Sequence, residues 1–145
     1  MGFRIGFQVR ALSNMIKKRI DHLSRETGLT GFQGYLLGYL IEESKTRDIF
    51  QRDVEKKMEI SRASVTSVLQ LLEKNGFIIR ELVEGDARLK KIVVTEKGKK
   101  ANEQIRTMLD GMEESLKEGI AGEDLQVFMD SMQHIKENLE RMEEE

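Results

Sequence analysis

The stretch SRASVTSVLQLLEKNGFIIRELVEGDARLKKIVVT, residues 61–95, decides the fold. Val65, Val68, Leu69 and Leu72 recur three or four apart, which places them on one face of a helix. Ser61 stands just before that run, where its hydroxyl can accept from first-turn amides, so a helix is predicted over 62–75. Gly76 follows as the left-handed terminator. FIIRELV (77–83) and LKKIVV (89–94) are rich in β-branched residues, and Glu84-Gly85-Asp86 between them carries turn chemistry. Thr95 then caps another helix, predicted from Glu96 to about Gly119.

Working outward, a short helix is expected over Gln51–Met58 with Val54 and Met58 inward. The short loop Glu59-Ile60-Ser61 suits the turn of a helix-turn-helix, and the hairpin behind it makes the pattern a winged one. Thr30 and Gln33 stand in capping-box register at the head of a helix reaching about Ser44, apolar nearly all round. Ile5, Val9, Leu12, Ile16, Ile20 and Leu23 form one stripe on a first helix over 5–24, and Gly28 stops it. Leu125, Phe128, Met132, Ile135, Leu139 and Met142 alternate steps of three and four along a last helix, 123–143, as an a/d seam. The fold class expected is mainly α with a small two- or three-stranded antiparallel wing. A winged helix-turn-helix lobe is joined to a helical dimerisation body.

Composition closes several routes. The 145 residues include no Cys, which excludes disulfides, Cys-ligated zinc and thiol redox chemistry. The longest apolar stretch, Tyr35–Ile41, is far short of the roughly 20 residues a membrane span needs. The first ten residues carry Arg4 and Arg10 and lack a signal-peptide core, so a soluble, cytoplasmic chain with no membrane contact is expected. The formal net charge of −2 looks unfavourable for a nucleic-acid partner, but it is an average. Residues 1–100 sum to +7 and residues 101–145 to −9. Such asymmetry points to a polyanionic partner for the basic part.

The face of helix 62–75 opposite its apolar stripe carries Arg62, Ser64, Thr66, Ser67 and Gln70, with no acid before Glu73. These side chains hydrogen-bond base edges in a major groove: Arg to guanine, Gln to adenine, Ser and Thr to either bases or phosphates. In the hairpin, Arg88 and Lys90 follow the turn, and Asp86 is spaced to hold the Arg88 side chain in one pose for a minor groove. Lys97, Lys99 and Lys100 sit at a helix start, against the dipole, and suggest phosphate contact. Asp130 and His134, one turn apart, could supply two metal ligands, though a surface ion pair is the simpler reading. The methionines Met108, Met112, Met129, Met132 and Met142 suit adaptable packing or a pliable pocket. No HExxH, GxGxxG, P-loop or GxSxG motif is present, so an enzyme is not expected, nor a metal or cofactor. Two function classes remain: a double-stranded-DNA-binding regulator, or a winged-helix protein-interaction module that does not bind DNA and whose acidic tail and uncharged helix face meet a partner.

Three stretches resemble one family. Gly28-Leu-Thr-Gly-Phe-Gln33 is similar to the G-L-T-x-x-Q opening of the second helix in MarR (multiple antibiotic resistance) regulators. Ser61–Thr66 and Leu71–Arg80 resemble their recognition helix and first wing strand, and Asp86-Ala-Arg88 with Val94-Thr95 and Gly98 resembles their wing signature. The resemblance implies a homodimeric transcriptional repressor on a pseudo-palindromic operator, with residues 1–28 and 96–145 forming the helical dimerisation region and 29–95 the DNA-binding lobe. It further implies that helix 62–75 enters the major groove, that Arg88, oriented by Asp86, enters the minor groove, and that a small aromatic ligand releases the DNA, as in many members. Two positions depart from the family pattern: Gly31 stands where Pro is frequent, and Phe50 where a Thr or Ser cap is frequent. The second is expected to cost about 1 kcal/mol.

Overall fold

A computed structural model describes residues 4–144. Six helices and one hairpin follow in the order α1 (Ile5–Ser24), α2 (Gly31–Ser44), α3 (Gln51–Met58), α4 (Arg62–Lys74), β1 (Ile78–Val83), β2 (Asp86–Val94), α5 (Glu96–Lys117) and α6 (Gly122–Glu143), with a 3₁₀ turn at Arg25–Thr27. The chain divides into two compact units, Met1–Leu109 and Asp110–Glu145.

The core of the first unit is built by α2, α3, α4 and the hairpin. Leu36, Leu37, Leu40, Val54, Val65, Leu69 and Ile78 are fully buried. Each such side chain contributes roughly 1.5–3 kcal/mol by leaving water. Met58 and Val68 are partly buried against the same cluster. Thr30 closes its capping box as expected: its Oγ1 accepts from the Gln33 backbone amide at 3.2 Å, and the Gln33 side-chain oxygen Oε1 accepts from the Thr30 backbone amide at 3.0 Å.

Both departures from the family pattern have local reasons. The Gly31 amide donates to Asp21 Oδ1 at 3.2 Å, a bond proline could not make. A Cβ there would lie 2.9 Å from Ile20 Cγ2 of α1, so the two helices meet on a bare backbone. At Phe50 the missing side-chain cap is partly replaced from within the helix, because Asp53 Oδ2 accepts from the Phe50 amide at 2.8 Å. Arg47 also meets Asp53 at 3.0 Å. Partial burial pushes the Asp53 carboxyl up, but the Phe50 amide and the Arg47 guanidinium outweigh it and hold the group below its ordinary value.

Helix α4 ends in a Schellman turn. The Phe77 amide donates to Leu72 O at 2.9 Å and the Gly76 amide to Glu73 O at 3.0 Å, with Gly76 at φ +81°. The chain thus reverses straight into β1. The hairpin is antiparallel, paired from Ile78↔Val94 to Leu82↔Lys90, after which the register breaks and Val83 pairs with Asp86. The second strand is therefore longer than its apolar run 89–94, and the turn shrinks to Glu84-Gly85. The sheet has two strands. On its other edge, the Ile92 amide donates to Ile49 O at 2.7 Å, which ties the wing to the segment leading into α3.

Thr95 caps α5 by accepting from the Gly98 amide at 3.1 Å. Two of the lysines at this helix start have partners within the fold. Lys97 Nζ donates to Asn75 O at 2.6 Å and lies 4.7 Å from the Phe77 ring centroid, while Lys99 pairs with Glu96 at 3.3 Å. A cation that is misplaced for its own helix dipole is well placed for the C-terminus of α4.

In the second unit, α6 has no buried residue, and Phe128, Leu139 and Met142 of its seam are exposed. On α1, Ile5, Val9 and Leu12 of the stripe are likewise exposed. Asp130 accepts from Gln126 Nε2 at 3.0 Å, and among the described residues no group of three or more His, Asp or Glu is placed to hold a metal ion. No helix of the described residues is long and apolar enough to cross a membrane.

Candidate nucleic-acid interface

Helix α4 buries Val65, Leu69 and Leu72 and turns Arg62, Ser64, Ser67 and Gln70 outward. Ser61 Oγ accepts from the Ser64 amide at 3.2 Å and donates to Ser64 Oγ at 2.9 Å, which fixes the first turn. Ser67 Oγ donates to Ala63 O at 3.1 Å, leaving its lone pairs outward. Thr66 is differently placed. It is half-buried, donates to Arg62 O at 2.9 Å and accepts from Gln51 Nε2 at 2.8 Å. Its hydroxyl therefore joins α3 to α4.

The hairpin corrects one expectation. Asp86 Oδ1 accepts from the backbone amide of Arg88 at 2.9 Å, and among the described residues no Asp86–Arg88 side-chain ion pair forms. The two-residue spacing suits an Asx-type turn, in which a short carboxylate reaches the main chain more easily than a distant guanidinium. Asp86 thus fixes where the Arg88 side chain starts. Arg88 falls inside the register break, beyond the last regular pair Leu82↔Lys90.

Between α3, the start of α4 and β2 runs a groove of about 390 Å³. Arg52, Arg62, Arg80, Arg88 and Lys90 line it, with Glu55 the one acid among the described lining residues. Sequence reasoning named Arg62, Arg88 and Lys90 of these and missed Arg52 and Arg80. Arg52 stands in the first turn of α3, with its guanidinium 5.2 Å from the Phe50 ring centroid. Arg80 lies two residues from the fully buried Ile78 and therefore on the same side of β1. Its Nε is 3.3 Å from Glu73 Oε2 of α4, and its side chain is only 22% exposed. Strand alternation is the signal that could have found it. Even with Arg80 paired to Glu73 and Arg62 beside Glu55, Arg52, Arg88 and Lys90 leave the wall net positive, which attracts a polyanion.

The MarR family pattern matches residues 27–89, the segment that contains α2, α3, α4 and the hairpin turn. Over nearly the whole chain the fold matches Staphylococcus aureus MepR in complex with DNA, at TM-score 0.80 and 25% identity, covering 95% of this chain and 99% of that one.

The chain is similar to MarR-family regulators.

The chain is also similar to the HTH-type transcriptional regulator YybA of Bacillus subtilis. The two are 27% identical over 131 residues, covering 88% of this chain and 85% of YybA. SarZ of Staphylococcus epidermidis, another HTH-type transcriptional regulator, is 34% identical over 85 residues, covering 59% of this chain and 55% of SarZ.

Proposed function

We propose that this protein is a MarR-family cytoplasmic repressor that binds a pseudo-palindromic operator as a homodimer. The observation that carries the proposal is the groove of Arg52, Arg62, Arg80, Arg88 and Lys90 beside the outward, acid-free face of α4. A duplex seated there would place Arg62, Ser64, Ser67 and Gln70 at major-groove base edges. Thr66 would keep α4 at its angle to α3, and Lys90 would meet a phosphate. Arg88, started from its Asp86-anchored backbone, would reach the neighbouring minor groove. The likeness to MepR, solved with DNA, supports this use of the fold.

In this proposal residues 29–95 are the DNA-binding lobe, and 1–28 with 96–145 the dimerisation region. The exposed apolar stripe of α1 and seam of α6 support it, since such faces mark association surfaces. Release by a small aromatic ligand is proposed from the family resemblance alone.

Footprinting on the DNA upstream of the protein's own gene, with a salt titration, tests the DNA assignment. A protected two-fold-related site, lost steeply as salt rises, is the expected result. Salt-insensitive or absent binding would leave the protein-interaction module as the better account.

A further inference from the structure

Glu55 is an odd occupant of a groove built for an anion. Its side chain is 26% exposed, and its Oε1 is buried without a hydrogen-bond partner among the described residues. A carboxylate reads DNA by presenting an oxygen to a cytosine amino group, and the buried Oε1 is turned away from that use. Its nearest cation is Arg62, whose Nε lies 4.0 Å from Oε1 and whose side chain is 89% exposed.

We propose that Glu55 is a specificity-determining residue that cancels the net charge of Arg62 while leaving its donors free. The inference rests on the DNA-binding reading above. Phosphates attract charge, at any sequence. A guanine edge is neutral and selects on hydrogen-bond geometry. Beside Glu55, the exposed Arg62 guanidinium makes no hydrogen bond to the buried Oε1, so its donors stay available to a base edge while the two formal charges sum to zero. It gains little from an arbitrary phosphate and keeps its bond to the correct base. Glu55 thereby lowers binding to wrong sequences more than to the right one.

The test measures binding of wild type, E55Q, R62A and the double variant to two duplexes, the protein's own upstream DNA and a shuffled sequence of equal length, across a salt series. With E55Q, affinity for the shuffled duplex should rise by roughly fivefold at low salt, and its salt slope should steepen by about 0.9. Affinity for the upstream duplex should change by less than about twofold. R62A alone should leave the slope on the shuffled duplex unchanged and weaken upstream binding, a measurement that needs no change at Glu55. An E55Q variant with the wild-type affinity and slope on shuffled DNA would overturn the proposal. So would an equal gain from E55Q when Arg62 is already absent. Wild-type protein that binds neither duplex in a salt-dependent way would remove the DNA reading itself, and this proposal with it.

Discussion

The Asp86 carboxylate accepts a 2.9 Å hydrogen bond from the Arg88 amide two residues along the same strand. The bond sets the backbone at the point where the hairpin leaves its regular register. Arg88→Ala is expected to weaken binding to every duplex and to lower the salt slope by about 1, as loss of one cation from the strongly negative minor groove should. Asp86→Ala should have a smaller effect of the same kind, and Asp86→Asn, which keeps an acceptor, should stay near wild type. Fluorescence anisotropy across a salt series reads all three.

Asp53 joins the Phe50 amide to the Arg47 guanidinium, and its carboxyl titrates below the ordinary value. A depressed carboxyl stabilises the fold above its unfolded-state pKa of about 3.9, and that contribution disappears as pH falls through the folded value. Asp53→Ala should therefore cost about 1 kcal/mol at pH 7, the worth of a helix cap. Urea titrations should show the gap between variant and wild type closing below about pH 4.

A Cβ on Gly98 would lie 2.3 Å from Phe77 O and 2.6 Å from Val94 Cγ1, against backbone that cannot step aside. Gly98→Ala should destabilise by about 1–3 kcal/mol. Gly111, in the same helix, has nothing within 4 Å of its would-be Cβ, so Gly111→Ala should stabilise by about 0.5–1 kcal/mol. Thermal unfolding of the two variants side by side gives opposite shifts in Tm.

Lys97 serves the end of α4 through Asn75 O and the Phe77 ring. Lys97→Ala should lower stability by about 0.5–1 kcal/mol and change duplex affinity less than twofold, roughly. Denaturant unfolding and anisotropy together separate it from Arg88→Ala, which should show the reverse.

In the proposed homodimer, with the α6 seam at its interface, Leu139→Asp should raise the dimer dissociation constant by at least roughly tenfold, since it sets a charge on an apolar contact. Sedimentation velocity should show a shift towards monomer with helix content unchanged.

Much of the fold was legible because its signals are local. The Thr30–Gln33 box, Ser61 and the Schellman turn at Gly76 each rest on residues within a few positions of one another. What escaped was contact across long sequence distance. Arg52 and Arg80 meet Arg62 in one groove only because α3, α4 and β1 pack as they do. Lys97 finds its partner 22 residues upstream, across the hairpin. Asp86 was read in the right place with the wrong partner, since spacing alone does not distinguish an amide from a guanidinium on the same residue.

The break in pairing beyond Leu82 has a consequence for how such a protein can change. In a continuous ladder, adding one residue flips every side chain after it to the opposite face. Here the tip is already uncoupled from the five pairs below it, so its length can drift without disturbing Ile78, Ile92 or Val94 in the core. The part that carries Arg88 is in effect a replaceable nib on a fixed pen, and related proteins could acquire new reach by editing it alone.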